Sequence, residues 1–190
     1  MSAKGPGIFP IPEPIRAEMR GRSHHDDPRC PALDALRLLV LRHVDLHGHT
    51  RQGELVIAVH LADEVLAIFE ELYALAFPIA RIQRIDAYAG DDDRAMAANN
   101  TSAFNFRVVD GTDTLSRHAL GCAVDINPLQ NPWLRGARVD PEAGRAYLDR
   151  SHVRPGMIVA GGPVVEAFTR RGWIWGGDDP RFPDYHHFAR

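Results

Sequence analysis

Two polar segments far apart in the chain restrict its fold more than any other feature of the sequence. The first, residues 116–125, reads SRHALGCAVD, and the second, residues 184–188, reads DYHHF at the C-terminal end. A catalytic zinc site usually takes three His or carboxylate ligands, and a separate carboxylate accepts a proton when water attacks a carbonyl. The two segments supply this set of groups only if long-range folding brings them together.

The local spacing of the first segment allows two of its side chains to meet. His118 and Asp125 come together if the chain turns at Gly121 and continues as a short strand over residues 122–126. A third ligand and a base must then come from residues 184–187. The spacing alone is equally compatible with a site that binds no metal. In that case His118 is an ordinary histidine, Asp125 caps a strand end, and the C-terminal segment is a solvated polar tail.

The two motifs together are similar to those of a known family. S-x-H-x-x-G-x-A-x-D followed by D-x-x-H-F resembles the zinc D-Ala-D-Ala carboxypeptidases and L-alanyl-D-glutamate endopeptidases, which cut bacterial cell-wall peptides. Residues 99–104 (NNTSAF), 125–128 (DINP) and 172–177 (GWIWGG) also look like one branch of it. The resemblance covers the chain from about residue 30 to the end. It implies the fold of these peptidases and of the Hedgehog signalling domain, an antiparallel sheet with packed helices.

The resemblance also implies a role for individual residues of both motifs. His118, Asp125 and His187 are expected to bind zinc, and Asp184 is expected to be the general base. Side chains two apart share a face of a regular strand, which would pair Asp184 with His186. His186 therefore stays open as the alternative ligand, unless a bulge or turn follows Asp184.

Arg107 and Ser116 complete the predicted site. Residues 99–109 are interpreted as a loop that runs into a strand, in which Arg107 projects opposite to Phe104 and Phe106. The family has an arginine upstream of its S-x-H motif, and Arg107 is the match. It is expected to bind the substrate carbonyl and stabilise the oxyanion; the alternative is a surface arginine paired with an acid. Ser116 is expected either to contact substrate or to hold the loop.

The expected function is zinc-dependent hydrolysis of peptidoglycan stem peptides at a bond adjoining a D-residue. Both the D-alanyl-D-alanine carboxypeptidase and the L-alanyl-D-glutamate endopeptidase types fit. The alternatives are a catalytically silent, zinc-containing wall-binding module of the same fold and a soluble domain whose histidines bind nothing. Asp184 favours an enzyme over a silent module, because zinc binding requires no base.

The substrate implies an extracytoplasmic location, in the periplasm, in the cell wall or secreted. Residues 1–30 contain no apolar run of the kind found in a secretory signal. The expectation is therefore that a signal was removed, that export uses another route such as phage lysis, or that the true start differs.

Composition excludes other classes of protein. The 190 residues, 45% of them hydrophobic, suffice for one domain with a substantial core. A net charge of −3 shows no excess of basic residues of the kind that binds nucleic acid, and no apolar stretch is long enough to span a bilayer. Two cysteines, Cys30 and Cys122, cannot form a disulfide framework, and their pairing is left open, as is the oligomeric state.

Short strands and separate helices without a βαβ rhythm predict a single α+β domain. Residues 1–29 are expected to be a flexible polar arm that precedes a zinc peptidase domain of residues 30–190. The spacing of Leu33, Leu36, Leu39 and Val40 predicts an amphipathic helix that ends near His43. Other predicted helices cover residues 61–75, 141–148 and 163–171, and other predicted strands cover residues 54–59, 81–88 and 173–175. The acidic run 91–93 lacks EF-hand spacing and is interpreted as a solvated loop.

Overall fold

Antiparallel strands and short helices alternate along the chain in the computed structural model, which describes residues 5–109 and 111–190. The strands are β1 (Gly7–Phe9), β2 (Leu36–Val44), β3 (Thr50–Ala58), β4 (Ala123–Asp125), β5 (Trp133–Arg135), β6 (Arg138–Asp140), β7 (Ile174–Trp175) and β8 (His187–Ala189). The α-helices are α1 (Glu13–Met19), α2 (Ala62–Ala74), α3 (Asp92–Ala97) and α4 (Pro163–Thr169). Single 3-10 turns cover Leu33–Ala35, Val59–Leu61, Ile85–Tyr88, Arg117–Leu120, Glu142–Tyr147 and Gly176–Asp178.

The first sheet has the order β1-β2-β3, and β2 pairs antiparallel with β3 from Leu36↔Ala58 to Val44↔Thr50. Helix α2 packs on this sheet through Val65, Ile68 and Phe69, which are buried. The apolar side chains of α2 recur every three to four residues, as the helical period requires. The predicted helix over residues 61–75 and the strand over 54–59 are therefore confirmed, with the strand beginning earlier, at Thr50.

The predicted helix that ends near His43 is wrong, because Leu36 begins β2. Strand β2 lies between β1 and β3, and residues 38–41 are all buried. A strand that is covered on both faces has a continuous apolar run, and hydrophobic periodicity does not separate such a run from a buried helix. Long-range pairing decides the conformation here.

Two other predicted strands are absent from the described residues. Within 81–88, Ile82 makes one isolated bridge to Thr101, and Ile85–Tyr88 is a 3-10 turn. The amide of Asn100 bonds both the N–H and the carbonyl of Gln83, which removes the groups that a partner strand would use. Along 99–109 the backbone N–H groups donate in turn to residues 81, 125, 56, 118 and 23, which lie in five different segments, so no continuous strand pairing forms.

Residues 5–29 contribute a strand and a helix where the sequence suggested a polar arm; residues 1–4 of that arm lie outside the described residues. Strand β1 pairs with β2, with Ile8 opposite Leu39. Ile11 and Met19 are buried in a second apolar cluster that also includes Phe104. Burial of these few apolar side chains beside β2 accounts for the strand and the helix in a segment without an apolar run.

The second sheet has the order β4-β8-β7 and lies beside the first. Strand β4 pairs antiparallel with β8, which places Asp125 opposite His187. Behind this pair, Phe168 of α4 stacks on Phe188 with ring centroids 4.1 Å apart. Helix α4, strand β7 and the short helix at 142–147 confirm the corresponding predictions. Strands β5 and β6 form a separate hairpin.

The α+β prediction is confirmed, because one buried apolar cluster joins both sheets with α2 and α4. The closer likeness to the Hedgehog domain stays a prediction. Among the described residues, no helix has the length and apolar character needed to cross a membrane. Cys30 and Cys122 are both free.

Candidate metal centre

The 3-10 turn Arg117–Leu120 fixes the first histidine. Ser116 Oγ accepts a hydrogen bond from the backbone N–H of His118 at 3.2 Å and so caps the turn. Gly121 ends the turn with φ +67°, and a Cβ at this position would lie 2.8 Å from Ala58 N. The predicted turn at Gly121 is confirmed, and its close approach to β3 explains why no side chain fits there.

Hydrogen bonding sets the orientation of the His118 ring. His118 is buried, and its Nδ1 lies 2.6 Å from the carbonyl oxygen of Ala103. A carbonyl only accepts hydrogen bonds, so Nδ1 carries the proton that is donated to it, and Nε2 is the ring atom that faces Asp125 and His187. The ring therefore presents Nε2 as a ligand atom.

Three ligand atoms converge where β4 and β8 face each other. His118 Nε2 lies 3.0 Å from Asp125 Oδ2 and 3.2 Å from His187 Nδ1, while Asp125 Oδ1 lies 2.8 Å from His187 Nδ1. In a tetrahedral zinc site with bonds of about 2.0–2.1 Å, neighbouring ligand atoms lie about 3.3 Å apart. The three side chains therefore form a group able to hold a metal ion.

The protonation of Asp125 also suits a ligand. Burial raises the pKa of this carboxyl, but the charges of His118 and His186 and the hydrogen bonds of His118 and His187 outweigh burial. The pKa of Asp125 therefore lies well below its ordinary value. A buried carboxylate that stays ionised beside two imidazoles is a donor set that zinc accepts.

A turn between Asp184 and His187 settles the geometry of the second motif. Strand β8 begins at His187, and the His187 N–H donates to the Asp184 carbonyl at 3.3 Å. Asp184 N–H in turn donates to Gly176 O at 3.0 Å, and a Cβ on Gly176 would come within 2.9 Å of Asp184 Cβ. The regular strand therefore begins only at His187, after the turn that the D-x-x-H pattern requires, although Asp184 still lies next to His186.

Asp184 has a buried carboxyl that lies next to the group of His118, Asp125 and His187 but does not belong to it. Burial raises its pKa, and the negative charge of Asp125 adds to this effect, while the nearby histidines oppose it. The net pKa of Asp184 is raised. Its Oδ1 lies 3.0 Å from His186 Nε2 but accepts no hydrogen bond of regular geometry from the described residues. A carboxylate of raised basicity with an uncommitted oxygen suits a proton acceptor.

His186 lies next to the converging atoms without joining them. Its Nδ1 is 2.7 Å from the Asn131 carbonyl, and its Nε2 is 3.9 Å from Asp125 Oδ2. The Asn131 side chain is itself fixed, since its Oδ1 accepts from Arg150 Nη2 and from the Ile158 N–H. The sequence gives one signal for Asn131, the turn-rich stretch Asn131-Pro132-Trp133, and this signal does not predict the contact with His186.

Arg107 lines the same cleft as His118, Asp184 and His187, although its segment is not a regular strand. Its Nη2 lies 2.7 Å from Asp92 Oδ2, and its buried Nε has no hydrogen-bond partner among the described residues. Both interpretations of Arg107 thus have a basis: it faces the cleft and it is paired with an acid. Its catalytic role stays a prediction, as does a substrate contact by Ser116, whose observed contact is the cap on His118.

The electrostatic influence of Arg107 reaches the metal group. Burial lowers the pKa of His187, but the hydrogen bond and charge of Asp125, with the charge of Asp184, raise it by more, against opposition from Arg107. The net pKa of His187 is raised. The positive charge of Arg107 is therefore close enough to His187 to oppose its protonation.

The cleft in front of these residues has a volume of about 1020 Å³. Its walls include Trp133 and Phe182, and Arg135 and Arg138 of the β5–β6 hairpin. Ligand sites in proteins commonly reach about 1,000 Å³ and combine apolar walls with a few polar groups. The cleft is therefore large enough for a short peptide.

A known protein family matches the part of the chain that contains these two motifs. Residues 110–190 match the family model described as D-alanyl-D-alanine carboxypeptidase, and the matched region includes His118, Asp125, Asp184 and His187. Comparisons with curated proteins and with solved structures found no match. The resemblance drawn from the two motifs is thus confirmed: over residues 110–190 this chain is similar to the D-alanyl-D-alanine carboxypeptidases, which supports a peptidase.

Proposed function

We propose that this protein is a zinc metallopeptidase that hydrolyses peptidoglycan stem peptides at a bond adjoining a D-residue. The observation that carries the proposal is the convergence of His118, Asp125 and His187 beside the buried carboxyl of Asp184, within the segment that matches a peptidase family. The substrate of such an enzyme lies outside the cytoplasm, so the proposal includes an extracytoplasmic site of action.

Zinc is the proposed metal because two imidazoles and one carboxylate are a common catalytic donor set that leaves a coordination position open. Other divalent ions accept the same ligands, so loading experiments must compare them. When bound, zinc supplies a Lewis acid that makes water acidic enough to attack at neutral pH and polarises a carbonyl.

The remaining chemistry is assigned to the side chains of the chain itself. Asp184 accepts the proton of the attacking water and passes it to the leaving amine. Arg107 donates from its guanidinium to the scissile carbonyl oxygen, where negative charge develops in the transition state. Ser116 keeps His118 in place through the cap of its turn and lies at the cleft, where it is proposed to contact substrate.

Digestion of purified peptidoglycan tests the proposed function. The zinc-loaded protein is expected to release D-Ala, or to cut between L-Ala and D-Glu, and mass spectrometry of the fragments identifies the bond. A chelator should stop cleavage, and added zinc should restore it. If no stem peptide is cut under any metal loading while the protein still binds zinc, the silent wall-binding module replaces the enzyme.

Arg107→Ala is expected to lower turnover by about 100- to 1000-fold, the usual cost of losing an oxyanion donor. Zinc content should not change, because Arg107 is not one of the converging ligand atoms. The measurement is kcat on the stem peptide, with elemental analysis of the same sample. Arg145→Ala is the matched control, since Arg145 is also paired with an acid, Glu142, but lies outside the residues that line the cleft. Turnover of Arg107→Ala within about threefold of the wild type would remove it from the mechanism.

A further inference from the structure

Helix α3 brings an acidic side chain to the arginine of the cleft. Asp92, the first residue of α3, places Oδ2 2.7 Å from Arg107 Nη2, and both residues line the cleft in front of the metal group. The side chains are 26% and 30% exposed, respectively. The pair is therefore partly desolvated and lies in the cleft, not on the open surface.

The backbone around this ion pair is held from two sides. Asp91 Oδ1 accepts from the Arg94 N–H at 3.0 Å and caps α3, while Asn105 Nδ2 donates to the Gly90 carbonyl at 3.1 Å just before the helix. Asn105 N–H also donates to the His118 carbonyl. The start of α3 is thus connected through Asn105 to the turn that carries His118.

The segment of Arg107 has its own link to the same turn. The Arg107 carbonyl accepts from the N–H of Ser116, the residue that caps the turn of His118. The backbones of Arg107 and His118 are therefore coupled, but this coupling does not set the direction of the long Arg107 side chain. At its far end that side chain meets Asp92, with Nη2 2.7 Å from Oδ2.

We propose that Asp92 is a positioning residue that fixes the guanidinium of Arg107 over the cleft. The inference rests on the proposed function, since it assumes that Arg107 acts on the substrate. Asp92 holds Nη2 at one end of the planar guanidinium, which limits the directions in which its other N–H donors can turn. The buried Nε has no hydrogen-bond partner among the described residues, so Asp92 is the anion that the structure places on this guanidinium.

A partly exposed ion pair adds little to stability, so a purely structural reading predicts almost no effect on activity from its loss. Positioning predicts a different result, because displacement of a catalytic group by about 1 Å can cost about 100-fold in rate. Asp92→Asn, which keeps the shape and removes the charge, is expected to lower kcat by about 10- to 100-fold. The change should fall on kcat and not on KM, since the oxyanion exists only in the transition state.

Two further variants make this test specific. Asp92→Glu should recover part of the rate, because it restores a carboxylate for Nη2. Asp63→Asn is the matched control: it removes the same charge from the first turn of another helix, α2, at an exposed residue that does not line the cleft. Zinc content should equal that of the wild type in all three.

The decisive measurement is a double-mutant cycle with Arg107. In an Arg107→Ala background, Asp92→Asn should cause no further loss, because the group that it positions is gone. Multiplicative losses in the double variant would overturn the proposal, as would an Asp92→Asn enzyme of wild-type rate when Arg107→Ala is impaired.

A second readout keeps this inference separate from the proposed function. The side-chain NMR signals of Arg107, assigned by their absence in Arg107→Ala, should show slowed rotation of the Nη groups in the wild type and free rotation in Asp92→Asn. Unchanged signals in Asp92→Asn would overturn the positioning role even if the wild type cuts stem peptides. A wild type that cuts no wall peptide would refute the proposed function, and the NMR comparison would still decide whether Asp92 holds Arg107.

Discussion

Asp184→Ala is expected to lower stem-peptide turnover by about 100- to 10,000-fold, the range for loss of a general acid–base group. Metal content should stay unchanged, because the converging ligand atoms come from His118, Asp125 and His187. The backbone of Asp184 is held through its N–H on Gly176, a contact that the substitution keeps. The fold should therefore survive. Rates and zinc content are to be measured on the same samples.

Three companion variants sharpen this result. Asp184→Asn keeps the shape and removes the basicity, so it should be as slow as the Ala variant. Asp184→Glu should recover part of the rate, because it restores a carboxylate that can accept the proton. Asp178→Ala removes a nearby exposed acid that does not line the cleft and should behave as the wild type. Wild-type turnover by Asp184→Ala would show that another residue is the base.

His118→Ala is expected to abolish stoichiometric zinc binding and, with it, turnover. The wild type should hold about one zinc ion per chain after reconstitution, and the variant less than about a tenth of an equivalent, because two ligands do not complete a catalytic zinc site. Elemental analysis after removal of loose metal measures this directly. Full zinc retention in His118→Ala would contradict the assigned centre.

The adjacent histidines of the second motif provide a matched pair for the same measurement. His187→Ala should lose zinc as His118→Ala does, because its Nδ1 is one of the converging atoms. His186→Ala should keep nearly all its zinc, since Nδ1 of His186 is bonded to the Asn131 carbonyl and its Nε2 lies 3.9 Å from Asp125. The opposite pattern would make His186 the ligand.

The sequence by itself determined the elements whose cause is local. Helix α2 follows from the spacing of its apolar residues, and α4 from its own apolar face, with Pro163 at its start and Gly172 just after its end. The turn at Gly121 follows from a positive φ that glycine adopts without strain. His118, Asp125 and His187 were also named from the sequence, because their motif is recognised by residue types and spacing, without knowledge of the contacts.

Only the tertiary structure decided the features that depend on distant partners. Strand β2 is a strand because β1 and β3 cover its edges, whereas its apolar spacing alone fits a helix. The acidic run 91–93 was interpreted as a loop, yet Asp91 caps α3 and Asp92 reaches Arg107 across the cleft. The choice between His186 and His187 depends on the turn after Asp184, which packs on Gly176. The Asp91 cap is a local contact, with Arg94, which an N-cap pattern indicates. The pairing of β2 and the contact of Asp92 with Arg107 join residues remote in sequence, and a local pattern contains no record of such contacts.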